Sequence, residues 1–268
     1  VTHHTLPTEG QGRIAVVLGG ANGIGAVTCQ ILAAHGWQVV VADQDSDAAQ
    51  EQAARGLAGH QTVDVADEAS VAQAAEAIER RHGPVHGMVN CAAVFAPQTP
   101  PERLDMDTWD RISRINLRGS YLCNVAFGQR MAARGRGAMV NISSIGGHRP
   151  NHGHAYTTSK AAIVALTQGM AGEWGRSGVR VNCVTPGFVG VPRMLAAIEL
   201  GVRYPVPPAS LSALGRLVEP EEVAQTIAFL LSDRASGITG ADLAVDAGVL
   251  ATSGWQVHGG VPAARAPQ

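Results

Sequence analysis

The sequence predicts a single α/β domain: a doubly wound parallel sheet of about seven strands with helices on both faces. Three observations carry that expectation. Short Val- and Ile-rich runs alternate down the chain with helical stretches of about 10 to 15 residues, the rhythm of parallel strands joined by crossover helices. The first run is continuously apolar rather than alternating, as in strands buried on both faces. At 268 residues and 46% hydrophobic side chains, the chain can enclose one large core, and no linker divides it.

Residues 13–18 read as the first strand, followed by the glycine cluster 19–25 and a helix over 26–35. Residues 38–42 form a second strand that ends at Asp43. The Ala- and Gln-rich stretch 47–57 is helical by propensity. A third strand is expected over 61–65, an amphipathic helix over 68–82 and a fourth strand over 85–90. A long helical stretch covers 106–134, weakened at Gly119 and Gly128. Strand 137–142, helix 155–174 and strand 179–184 continue the alternation. Pro220, with Glu221 and Glu222 behind it, opens a helix over 220–232, because the positive end of a helix favours acids. Residues 241–245 form the last strand. Pro186, Pro192, Pro205, Pro207 and Pro208 mark 186–210 as a long excursion over the sheet, a kind of segment that often serves as a lid. The domain is expected over 12–252, with a substrate loop near 187–212, a flexible tail at 1–11 and a loosely ordered tail at 253–268.

Composition excludes several classes. A formal net charge of −2 attracts neither nucleic acid nor an anionic membrane. No run of about 18 apolar residues is present, so no membrane span is expected. The first residues carry no signal pattern, and a cytoplasmic location is the expectation. Cys29, Cys91, Cys123 and Cys183 form no C-x-x-C pair, which points to reduced thiols rather than a disulfide framework or a metal site.

The first strand runs into Gly19-Gly20-Ala21-Asn22-Gly23-Ile24-Gly25 and then a helix. A glycine-rich turn in that position lets backbone approach a pyrophosphate, and the helix N-terminus offers free N–H groups to it. The strand before it and the helix after it favour a Rossmann-type nucleotide cradle over a structural turn. Asp43 follows at about the 20-residue interval at which a carboxylate accepts the adenosine ribose hydroxyls and repels a 2′-phosphate. No Arg or Lys stands in the cradle or directly after Asp43, which favours NAD over NADP. Asp64 is read either as a partner of the adenine amino group or as a turn residue. Tyr156 and Lys160 are four apart, hence on one helix face. An ammonium beside a phenol favours the phenolate, and such a tyrosine can take a proton from an alcohol or give one to a carbonyl.

From about Gly12 to about Leu250 the chain resembles the short-chain dehydrogenase/reductase family. The likeness rests on an ordered set: Leu18-Gly19-Gly20-Ala21-Asn22-Gly23-Ile24-Gly25, Asn90-Cys91-Ala92-Ala93, Asn116, Asn141-Ile142-Ser143-Ser144, Tyr156 and Lys160, Pro186-Gly187, Glu219-Pro220-Glu221-Glu222-Val223-Ala224 and Ile238-Thr239-Gly240. The resemblance implies Tyr156 as acid/base. Lys160 would hold the nicotinamide ribose and tune Tyr156, a serine would hydrogen-bond the substrate oxygen, and Asn116 would position a water near Lys160. It also implies cofactor contacts from Gly19, Asn22, Gly23, Ile24, Gly25, Asp43, Asp64, Val65, Asn90, Ala92, Pro186, Gly187 and Val189. Aligning Gly147 selects Ser144 as the catalytic serine, whereas counting back from Tyr156 selects Ser143. Ser144 is preferred, because a deletion in the loop 148–153 is easier than one at a strand end. Leu18, Ala93 and Val191 depart from the family pattern, each with the loss of a polar contact or a flexible turn.

The reading is therefore an NAD-dependent oxidoreductase of secondary alcohols or ketones, with a polyol, cyclic alcohol or hydroxy acid as small-molecule substrate. The alternatives are a diol dehydrogenase of aromatic catabolism and a non-catalytic NAD-sensing scaffold. His148, Arg149, His152 and His154 are candidates for substrate recognition, or an incidental exposed loop. Phe95, Phe188, Met194, Leu195 and Tyr204 are candidates for apolar walls. Small residues such as Ala132, Ala133, Ala161, Ala162 and Ala165, on helices that family members use for assembly, imply a homotetramer or homodimer.

Overall fold

The structure, a computed structural model, describes residues 10–95, 97–201 and 204–264. Most of the expected N-terminal tail, and residues 265–268 of the C-terminal one, lie outside the described residues. The first half runs β1 (Ile14–Leu18), α1 (Gly23–Ala34), β2 (Gln38–Asp43), α2 (Ser46–Ala53), β3 (Gly59–Thr62), α3 (Glu68–His82) and β4 (Val85–Asn90). The second half runs α4 (Met106–Ile112), α5 (Gly119–Ala133), β5 (Gly137–Ile142), α6 (Ile145–His148), α7 (His154–Trp174), β6 (Val179–Pro186), α8 (Pro192–Glu199), α9 (Pro220–Leu231), β7 (Asp242–Val245) and α10 (Val249–Thr252).

All seven strands are parallel neighbours in the order β3-β2-β1-β4-β5-β6-β7. The chain winds outward from β1 to β3, returns to β4 and winds the other way. Sheets of this kind bind ligands where the direction switches, outside the C-terminal strand ends. Strand side chains alternate between the faces. Val16, Leu18, Met88 and Met139 meet α3, α5 and α7 through Ile78, Phe127 and Met170. Val17, Val41, Val89 and Val140 meet α1, α2 and α9 through Leu32, Ala49 and Ile227.

Four segments differ from the sequence expectation. The third strand is Gly59–Thr62, not 61–65, because its ladder with β2 pairs Val40 with Gly59 and Asp43 with Thr62 and ends where β2 ends. Val63 and Val65 are buried beyond the ladder, so the apolar signal sat just past the strand. The helix over 106–134 is interrupted by a π-helical turn, Ser113–Arg118, and not by its glycines. Gly119 and Gly128 permit close packing instead: a Cβ on Gly119 would lie 2.9 Å from the Val65 carbonyl, and one on Gly128 would strike the Trp174 ring. The excursion over 186–210 contains α8, started by Pro192 at its first position. In the expected C-terminal tail, Trp255–His258 forms a 3₁₀ turn.

Candidate active site

β1 delivers the chain into the glycine turn at the switch point. Gly19 and Gly23 hold φ of 69° and 56°, a left-handed backbone that disfavours side chains. A Cβ on Gly19 would sit 2.6 Å from the Ala92 nitrogen, and one on Gly25 would land on the Gly19 carbonyl. Asn22 precedes α1 in extended conformation and makes no side-chain cap. The first N–H groups of the helix therefore lack a side-chain partner there, the condition that suits a phosphate. Asp43 Oδ2 accepts from the Ala21 N–H at 3.1 Å and Oδ1 from the Asp45 N–H at 3.2 Å, which fixes the carboxylate beside the turn. A glycine cradle closed to a Cβ at Gly19 and Gly25, an uncapped helix start and an anchored carboxylate together fit a dinucleotide.

One cavity of about 530 Å³ runs along the strand ends. It is lined by Gly19, Asn22, Gly23, Ile24, Gly25, Asp43, Asp64, Val65, Ala92, Ser144, Tyr156, Lys160, Pro186, Gly187 and Val189. Asp64 also holds its own turn, accepting from the Ala66 N–H at 2.9 Å. Gly187 lets the chain pass Asp246, whose Cα would lie 2.7 Å from an added Cβ. Asn90 and Asn116 are not among the lining residues. Asn90 donates to Ser120 Oγ at 2.8 Å and accepts from the Ala92 N–H at 3.3 Å, which shapes the turn after β4.

The two serines at the end of β5 both line the cavity but differ in their bonds. Ser143 is buried and donates to the Lys160 carbonyl at 2.8 Å. Ser144 is partly exposed to the cavity and accepts from the Gly146 N–H at 3.1 Å as the cap of α6. Lys160 Nζ donates to the Ile142 carbonyl at 2.7 Å and lies 5.7 Å from the Tyr156 ring centroid. Burial pulls the Lys160 ammonium down to about 8. Asn116, in the π-helical turn, donates to the Val94 carbonyl at 2.9 Å and to Ser159 Oγ at 3.2 Å, and accepts from the Val94 N–H at 2.8 Å. Its side chain ties the loop after β4 to α7 rather than facing the cavity.

Phe95 stacks on Tyr156 with ring centroids 5.0 Å apart, and the Arg193 guanidinium carbon lies 3.4 Å from the Phe95 centroid. Sequence reading missed this stack, since nothing in the spacing ties residue 193 to residue 95. Among the expected walls, Phe95 and Met194 line the cavity. Phe188 and Tyr204 meet edge-on at 5.9 Å instead, and Leu195 is exposed. The 148–154 loop does not line the cavity. His148 Nε2 lies 2.7 Å from Asp242 Oδ2, and Arg149 donates to Ser253 Oγ at 3.0 Å. The short helix α6 turns both toward β7 and the C-terminal segment.

A family model described as enoyl-(acyl carrier protein) reductase matches residues 19–250, and a solved structure described as a short chain dehydrogenase/reductase family protein is 35% identical with a TM-score of 0.81, covering 91% of this chain and 99% of that one. The chain belongs to the short-chain dehydrogenase/reductase family. It is an oxidoreductase of the alcohol dehydrogenase kind. Cis-4-hydroxycyclohexanecarboxylate dehydrogenase of Sinomonas cyclohexanicum is 40% identical, covering 89% of this chain and 97% of that protein. Galactitol 2-dehydrogenase (L-tagatose-forming) of Cereibacter sphaeroides is 36% identical, over 88% and 94%. A Brucella melitensis 16M structure described as ribose-5-phosphate isomerase is 43% identical with a TM-score of 0.89, over 96% and 100%. Among the described residues, no helix is long and apolar enough to cross a membrane, and no three His, Cys, Asp or Glu side chains gather as a metal site.

Proposed function

We propose that this protein is an NAD(H)-dependent dehydrogenase of secondary alcohols, or the reductase of the matching ketones, with Tyr156 as acid/base. The observation that carries it is a single cavity shared by the glycine cradle, Asp43, Ser144, Tyr156 and Lys160. A bound nicotinamide dinucleotide supplies or takes up the hydride. The Gly19–Gly25 backbone and the start of α1 hold its pyrophosphate. Asp43 accepts from the adenosine ribose hydroxyls, with Asp64 and Val65 beside the base. Asn90, Ala92, Pro186, Gly187 and Val189 shape the path to the nicotinamide.

In the oxidative direction Tyr156 takes the proton of the substrate hydroxyl, and Ser144 donates a hydrogen bond to the oxygen that becomes a carbonyl. Lys160 reaches the nicotinamide ribose, and its charge favours the Tyr156 phenolate. Asn116 acts as a positioning residue: by holding Val94 to Ser159 it keeps the loop that bears Phe95 against the helix that bears Tyr156. An aldose–ketose isomerisation needs a base beside a sugar phosphate and no dinucleotide. A cavity that continues from Tyr156 past the cradle to Asp43 and Asp64 favours hydride transfer instead. Four free thiols suit a cytoplasmic location. The surface of α5 and α7, where Tyr121 is 50% exposed, suits packing into a homodimer or homotetramer.

The test is Tyr156→Phe with a panel of secondary alcohols, followed by NADH absorbance. Turnover should fall by at least about 100-fold, with NAD affinity by fluorescence titration within about twofold of wild type. Near-normal turnover in the variant refutes the acid/base role.

A further inference from the structure

The cavity carries its charges in a polarised arrangement. Its lining acids are Asp43 and Asp64, and its lining cations are Lys160 and Arg193. Asp43 ends β2, and Ser144 stands just past β5, three strands along the sheet. At about 4.8 Å per strand, some 14 Å separate the two ends, and Asp64, beyond β3, lies farther still. The acids therefore sit at the adenosine end, while Arg193 is stacked within the reacting end. Its guanidinium carbon is 3.4 Å from the Phe95 centroid, and Phe95 is 5.0 Å from the Tyr156 centroid. The guanidinium thus lies within about 8.4 Å of the Tyr156 ring, the sum of those separations. Between and beside them the lining is apolar: Val94, Phe95, Pro192 and Met194. Ser143, Ser144 and Tyr156 are the lining hydroxyl residues at that end, with the Ser143 hydroxyl given to the Lys160 carbonyl, and a polyol would leave most of its own hydroxyls facing hydrocarbon.

We propose that the substrate is a hydroxy acid, or its keto acid, with an apolar carbon frame, and that Arg193 reads its carboxylate across the Phe95 ring from Tyr156. This rests on the dehydrogenase reading above and assigns the substrate class of the same site. A planar guanidinium with fixed donors suits a carboxylate. Arg193 stands in the first turn of α8, a helix with no buried residue, which covers the cavity. Substrate charge would draw that cover down, while Phe95 spaces the carboxylate from the carbinol carbon by about the width of a ring.

The experiment compares 4-hydroxycyclohexanecarboxylate with its methyl ester as alcohol substrates, in wild type, Arg193→Gln and Arg193→Lys. It also measures binding of the unreactive cyclohexanecarboxylate to the NAD-loaded protein by calorimetry. The acid should exceed the ester in kcat/KM by about 30-fold, within the range of a charged hydrogen bond. Arg193→Gln should lower the acid about 30-fold more than the ester, with Arg193→Lys between, and should remove cyclohexanecarboxylate binding. The NAD dissociation constant should move less than about threefold. Arg193 is exposed, so these variants keep the fold. Equal use of acid and ester by wild type overturns the proposal, as does a loss in Arg193→Gln that falls equally on both or on NAD. If neither compound turns over but cyclohexanecarboxylate binds through Arg193, carboxylate recognition stands and the dehydrogenase reading fails.

Discussion

Replacing Asp43 with Asn tests cofactor choice with little disturbance of the fold. The carboxylate is pinned by N–H donors from Ala21 and Asp45 at 3.1 and 3.2 Å, so it cannot swing away from an incoming 2′-phosphate. Two unit charges about 5 Å apart at an effective dielectric constant near 20 repel by about 3 kcal/mol, and a phosphate carries more than one charge. That repulsion alone gives a preference for NAD over NADP of about two orders of magnitude in kcat/KM. Asparagine keeps an oxygen that can accept from Ala21 and removes the charge, so the preference should fall to about tenfold or less. The assay is initial-rate kinetics with both cofactors at one saturating alcohol. The Debye length at 0.1 M salt is about 10 Å, longer than the contact, so moderate salt should leave the wild-type ratio nearly intact. Wild-type use of NADP within about tenfold of NAD, or an unchanged ratio in Asp43→Asn, refutes the reasoning.

Stability should fall in alkali. Burial raises the thiols of Cys29, Cys123 and Cys183, the latter two to about 12. A raised folded-state pKa gives stability that is complete below the unfolded thiol value near 8.5 and is lost as pH rises toward the folded one, about 1.4 kcal/mol per pH unit for each thiol. Lys160, lowered to about 8 by burial, has the opposite sign and offsets about one thiol between pH 8 and 10.4. Melting temperatures from pH 7.5 to 10.5 should decline, and less steeply in Cys123→Ala; parallel curves would count against the assignment. Assembly is checked by light scattering at micromolar protein, where a dimer or tetramer mass is expected and a monomer mass excludes the α5–α7 interface.

Much of this molecule is legible in its sequence where local chemistry and global fold agree. Apolar runs located six of the seven strands, and the glycine turn and Asp43, singled out by their spacing, both line the cavity. β3 was misplaced because an edge strand such as Gly-His-Gln-Thr shows little apolar pattern, while Val63 and Val65 bury their side chains outside the ladder. Gly119 and Gly128 looked like helix breakers, yet each is a place where another element comes too close for a Cβ. The histidines before Tyr156 suggested recognition by their chemistry alone. The direction of His148 depends on α6, a single turn too short to leave a periodic signal. The Arg193–Phe95–Tyr156 stack joins three segments far apart in the chain, and no sequence spacing encodes it.

The adjacent serines show how a strand end divides chemistry that counting along the chain leaves open. Ser143 continues the sheet: its N–H donates to the Val184 carbonyl at 2.8 Å. In that position its side chain meets α7 and its hydroxyl is held by the Lys160 carbonyl. The next residue of an extended chain points to the other side. Ser144 is extended, with φ of −168°, and starts α6 with its hydroxyl at the cavity. Ser143 therefore braces the helix that carries Tyr156 and Lys160; both serines line the cavity, and Ser144 is the one proposed to meet a substrate oxygen. A Ser143→Ala change would remove a donor from a buried carbonyl and loosen α7. A Ser144→Ala change would leave that brace in place and remove a hydroxyl that lines the cavity.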